Sequence, residues 1–150
     1  MPSVFDPAAE AALRHRVARL APDAAPRWGR MHAAQMLCHL VDAFRVPLGE
    51  ISTPEKPSPL RFFPLRVLFV HALPWPRGKL PTMPVFQQTK PGKWEDDRQA
   101  WNAALARFAA HGRTPQCRWS PHPRFGPLST WEWGHLVYRH VDHHLTQFGV

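Results

Sequence analysis

Near the C-terminal end of this 150-residue chain the sequence reads His140-Val-Asp-His-His144-Leu-Thr-Gln147. Histidines four residues apart on an α-helix stand one above the other, and two imidazoles so placed can grip one metal ion. A third histidine, His39, stands in a second apolar helical stretch, Met36-Leu-Cys-His39-Leu-Val-Asp-Ala-Phe44. Three histidines from two helices leave at least one coordination position open, and catalysis at a metal requires such a position. An all-imidazole donor set favours a divalent ion such as Zn²⁺ or Ni²⁺ over Mg²⁺.

The remaining candidates are weighed by where each falls on its helix. At ~100° per residue, Trp133, Leu136, Val137, Val141 and Phe148 share one face, with His140 and His144 in its middle. His135, Arg139, Asp142 and Thr146 fall opposite, towards solvent. Buried unpaired polar groups cost ~1–3 kcal/mol each, so the two central imidazoles need partners. They share a metal, or they bond to backbone or to each other; the i, i+4 spacing together with His39 favours the metal. His39 lies at the edge of its own stripe, where a locally bonded boundary histidine is an equal reading. His32, one heptad upstream, and His143, at the border of the last stripe, are rivals. His122, between prolines, lines a pocket or only shapes a turn, while His15, His71, His111 and His135 read as surface positions. Asp42 either orients a ligand imidazole, as carboxylates behind metal ligands do, or, more commonly at such a position, faces solvent. Gln147 stands where it can bond to a bound water or cap the polar rim of the site.

Five helical segments are expected to position these groups. The first runs from about Pro7 to Leu20, with Asp6 as its cap and Leu13, Val17 and Leu20 as its buried stripe. The second runs from about His32 to Leu48, with Met36, Leu37, Leu40, Ala43 and Phe44 inward. A third, about Pro59 to Leu73, carries Pro64 and should be kinked or short. The stretch from Pro74 to Pro91 holds five prolines and reads as a long extended loop of the kind that covers a site. The fourth helix runs from about Lys93 to Ala110, with Trp94, Trp101, Leu105 and Phe108 on one side and Gly112 as its stop. The fifth starts at Ser129, where Ser129-Thr-Trp-Glu132 fits a capping box, and ends near Phe148. No stretch alternates as a strand does and no repeat is present, so residues 1–150 read as one all-α domain, a four-helix bundle plus an extra helix.

Composition narrows the function. The net charge is +8, but the arginines are scattered and the tryptophans are not interleaved with basic residues, so neither duplex nor single-stranded nucleic acid is expected as a partner. The most apolar stretch, Leu60 to Trp75, is broken by Arg61, Pro64 and Arg66 and is too short to span a bilayer. With no secretory leader pattern, and with Cys38 and Cys117 far apart and outside any CxxC, the expected setting is a reducing cytoplasm with two free thiols. No glycine-rich phosphate loop, GxSxG elbow or HExxH sequence occurs. Cys38 and His39, as neighbours on a helix, point ~100° apart and do not form a catalytic pair.

Four stretches carry a resemblance across nearly the whole chain. They are Trp28-Gly-Arg-Met-His-Ala-Ala-Gln-Met-Leu-Cys-His39-Leu, Pro74-Trp-Pro-Arg-Gly78, His122-Pro-Arg-Phe-Gly-Pro-Leu-Ser129, and Trp133 through His140 and His144 to Gly149. In order and spacing they resemble the DinB/YfiT-like superfamily of metalloenzymes, within it a bacterial subfamily of unknown function. The resemblance implies a four-helix bundle in up-down-down-up order, often a homodimer. It also implies a metal triad of one histidine on the second helix and an HxxxH pair on the last, which are His39, His140 and His144 here, against His32 and His143. Better-known members transfer low-molecular-weight thiols such as bacillithiol or mycothiol to electrophiles, and one group isomerises maleylpyruvate with mycothiol. Many relatives follow the last ligand with Arg-Gly-Gln, whereas this chain has Leu145-Thr146-Gln147. The resemblance therefore speaks for the metal site more than for any one substrate. The expected function is a divalent-metal-dependent enzyme acting on a small molecule, as thiol transferase or hydrolase. The alternative is a non-catalytic metal-binding or stress-response bundle.

Overall fold

The computed structural model describes residues 1–54, 58–75, 77–78 and 82–150. Among these residues every regular element is helical, and the chain is all-α. A lone β-bridge pairs His122 with Gly126.

Helix α1 (Pro7–Ala18) starts where the side chain of Asp6 accepts the Ala8 N–H at 2.9 Å. Leu13, Val17 and, just past the helix, Leu20 are buried. Helix α2 (Ala33–Arg45) is capped by His32, whose Nδ1 accepts the Gln35 N–H while Gln35 reaches back to the His32 N–H. This reciprocal pair satisfies two orphan donors of the first turn and gives His32 a structural task away from the site. The expected inward face of α2, from Met36 to Phe44, is buried.

Between α2 and the next long helix, the stretch expected to be kinked is in pieces. It holds a 3-10 turn (Pro59–Arg61), one helical turn α3 (Leu65–Val67) and a π-helical turn (Leu68–Ala72). Pro64 is the reason: it has no N–H to donate and its ring blocks the carbonyl one turn back. A further 3-10 turn, Pro84–Phe86, lies within the proline-rich loop, of which Pro76 and residues 79–81 fall outside the described residues. Helix α4 (Trp94–Gly112) lies along α2, with Trp101 and Phe108 against Phe44. Helix α5 (Thr130–Gln147) opens with the expected box: Ser129 accepts the Glu132 N–H, and Glu132 accepts the Ser129 N–H at 2.8 Å.

The face of α5 expected to meet solvent is largely covered. Asp142 accepts from Arg16 of α1 at 2.6 Å, and Thr146 also accepts from Arg16. Arg139 donates to the carbonyls of Phe69, Val70 and Leu73, which the broken segment leaves free at its end. His135 is buried with its Nδ1–H donated to the Pro2 carbonyl, and His71 is buried between His135 and Trp131. A single-stripe reading assumes one partner face, whereas α5 is packed by α1, α2 and the 68–72 turn together. Gly134 lets the N-terminal segment cross α5, because a Cβ there would stand 2.3 Å from the Ser3 hydroxyl. Among the described residues no helix is long and apolar enough to cross a membrane.

Candidate metal centre

His39 projects from the middle of α2, and His140 and His144 from successive turns of α5. The three rings form a near-equilateral triangle with centroids 4.9 Å apart on every side. One nitrogen from each lies within 4.8 Å of the others, an arrangement that can hold a metal ion. The His39 and His140 Nε2 atoms are 2.9 Å apart. Metal–nitrogen bonds of ~2.0–2.1 Å in tetrahedral geometry place ligand nitrogens about 3.4 Å apart, so adjustments on the order of 1 Å suffice.

The surrounding hydrogen bonds fix which nitrogen of each ring is free. The Phe86 carbonyl can only accept, so the His39 Nδ1 2.9 Å from it carries the proton and Nε2 keeps its lone pair. The Trp28 carbonyl likewise accepts only, so it takes the amide N–H of Gln147 and turns Oε1 of Gln147 towards His144. Oε1 accepts the His144 Nδ1–H at 2.8 Å, leaving Nε2 of His144 with its lone pair. It follows that the His39–His140 contact is donated by Nε2–H of His140. To ligate a metal through the same nitrogen, His140 would shift its proton to Nδ1 and present the Nε2 lone pair.

Charge works in the same direction. Burial holds His39 below the usual imidazole range, opposed by its bond to the Phe86 carbonyl and by the charge of Asp42. His140 is held well below it by burial and then by its imidazole neighbours. Burial, with His39 beside it, takes His144 down to about 3 despite the upward pull of Gln147. All three rings are therefore neutral at physiological pH, the state a metal ligand must have.

Asp42 is neither exposed nor bonded to an imidazole. It is fully buried and accepts from the N–H groups of Gln88 and Thr89 at 2.6 and 2.9 Å and from the Thr89 hydroxyl at 2.6 Å, with Arg45 at 3.3 Å. The expectation of a solvent-facing carboxylate is thus corrected. Asp42 pins the end of the proline-rich loop to α2, which sets the Phe86 carbonyl over His39 three residues away. Sequence spacing showed the proximity of Asp42 to His39 but not the loop between them.

The triad opens on a cavity of about 900 Å³, within the size range of small-molecule sites. Its walls include Trp28, Trp75 and Phe86, and the described parts of the proline-rich loop contribute to them as expected. His143 lines the cavity at the edge of Trp28 but is not one of the converging three. His122 does both things proposed for it. Its Nδ1 accepts the Arg124 and Phe125 N–H groups in a tight turn, and its ring forms cavity wall. Burial, then Arg124, takes it down to about 3. Cys38 and Cys117 are free thiols, and burial with the carboxylates of Asp97 and Asp42 pushes Cys38 up to about 12, which removes it as a nucleophile. Comparison with protein-family models, curated proteins and solved structures finds no match for this chain. Its chemistry is read from the site itself.

Proposed function

We propose that the protein is a divalent-metal-dependent enzyme of the DinB-like kind, with its four long helices packed as an up-down-down-up bundle. The observation that carries this reading is the convergence of His39, His140 and His144 as neutral rings on the wall of a large cavity, two of them with their tautomers set by acceptors behind them. A structural metal site is closed by four protein ligands, whereas three leave a position for a substrate. Zn²⁺ or Ni²⁺ suits the donor set. Such an ion supplies Lewis acidity, making a thiol or a water nucleophilic at neutral pH. The protein's own part is to hold the rings, to keep them unprotonated by burial, and to line the approach with aromatic side chains that exclude bulk water. Thiol transfer to a small electrophile is the first reaction class and hydrolysis the second. A homodimer in the cytoplasm is the setting that goes with the resemblance. The cavity lining contains no Asp or Glu among the described residues to move a proton, and this favours, as the second reading, a binding module without catalysis.

The test starts with elemental analysis of protein purified without added metal or a metal-affinity tag. One divalent ion per chain is expected, falling to background in His144→Ala while circular dichroism keeps its helical signal. Collapse of the helices in that variant makes the metal structural and removes the catalytic reading. Cobalt-substituted protein is then titrated with small thiols. A changed absorption supports thiol transfer. A response to hydroxide or carboxylates alone moves the assignment to hydrolysis, and no response to any of them leaves the binding module.

A further inference from the structure

The charged residues of the cavity are all of one sign. Arg30, Lys90 and Arg124 line it, and among the described residues no carboxylate does. Lys90 is exposed and donates to the Gln87 carbonyl at 3.0 Å, and Arg30 is exposed on the rim. Arg124 differs from both. It is half-buried beside His122, and no ion pair to it is found among the described residues. Other half-buried arginines have acceptors within the protein: Arg14 has Glu10, Arg16 has Asp142, Arg66 has Glu132, and Arg139 has the carbonyls of Phe69, Val70 and Leu73. A partly desolvated guanidinium without an anion is costly unless a ligand provides one. The indole N–H groups of Trp28 and Trp133, both cavity-lining residues, are also donors without an acceptor.

We infer that the cavity binds a small organic acid, with Arg124 as the residue that recognises its carboxylate and with Trp28, Trp75 and Phe86 against its apolar body. The planar fork of arginine matches a carboxylate with two parallel hydrogen bonds. The aromatic walls favour a flat or apolar remainder over a sugar or a peptide. The inference rests on the metal-enzyme reading for which end of the ligand faces the histidines, but the charge recognition does not need the metal.

The experiment is a calorimetric titration with two probes of nearly equal shape, phenylacetate and its neutral amide, phenylacetamide. Metal-stripped and Zn²⁺-loaded protein are compared, each as wild type and as Arg124→Gln. Phenylacetate is expected to bind about tenfold more tightly than the amide, the scale of one charge-assisted pair. The preference should persist in the stripped protein and shrink to about twofold in Arg124→Gln. Arg124→Lys should keep part of it, and Arg30→Gln should leave it largely intact. Equal binding of the two probes, or no binding of either, overturns the inference. A preference that appears only with Zn²⁺ and ignores Arg124→Gln also overturns it, since the anion is then simply a ligand of the metal. A preference that depends on Arg124 in a protein that takes up no metal upholds it while removing the metal-enzyme reading.

Discussion

Replacing Gln147 by leucine tests the argument about tautomers directly. The Gln147 side chain is 4% exposed and makes two bonds at once, donating to the Trp28 carbonyl and accepting from His144. Leucine fills a similar volume and makes neither. A buried carbonyl and a buried ring N–H lose their partners, at ~1–3 kcal/mol for each group that water does not reach; the added apolar burial offsets part of this. The expected loss of stability is about 1–3 kcal/mol, read as a lower melting temperature. The effect on metal is separate. Removing the group that orients a ligand imidazole costs about 10–100-fold in affinity, measured by competition with a chromogenic chelator. Gln147→Glu separates the two effects. A carboxylate still accepts the His144 Nδ1–H, so metal binding should suffer less than with leucine, but its second oxygen faces the Trp28 carbonyl and stability should fall as far. Gly29→Ala should weaken metal binding without touching either residue: Gly29 has φ +82°, and a Cβ there would sit 2.6 Å from Nε2 of Gln147. If Gln147→Leu binds metal within about twofold of wild type, Gln147 does not orient His144 and the reasoning fails.

Asp42→Ala should free the end of the proline-rich loop, with faster hydrogen exchange and proteolysis across residues 82–91 and a stability loss of about 2–3 kcal/mol; unchanged exchange there would mean that the loop is held by something else. Stability should also fall as pH drops below about 6.5. His122 and His144 titrate near 3 in the fold, and an unfolded histidine titrates near 6.5, so between those values the unfolded chain binds more protons. Their stabilising contribution is complete above the unfolded value and is lost as pH falls towards the folded one, each site adding up to about 1.4 kcal/mol per pH unit. Denaturation midpoints of His122→Asn against wild type, from pH 7 to 4, should show a shallower slope for the variant; equal slopes would mean that His122 is not held neutral.

The helices and their buried stripes are legible in the sequence because each is a local pattern. Asp6, the Ser129–Glu132 box and the apolar spacing of α2 act within a few residues of where they stand, and helix geometry turns spacing into a shared face. The pair His140 and His144 is legible for the same reason, and Gln147, one turn beyond, stood close enough to suspect. What sets the site's chemistry is less local. The acceptors that fix His39 and His144 are carbonyls of Phe86 and Trp28, 47 residues from His39 and 119 from Gln147 in sequence. Every residue has a carbonyl, so no residue type marks those two. The burial of His135 and Arg139 is not legible on similar grounds, since their partners are an N-terminal segment and a broken helix with no periodicity to reveal them, and His71 stands on that broken helix itself. His32 shows the converse, since its spacing suits a ligand while its ring caps a helix. Residue types and spacing thus propose which groups meet. Whether a histidine arrives with a free lone pair depends on backbone atoms brought to it by distant loops, and that is why Asp42, which carries one such loop, belongs to the site although it touches none of its rings.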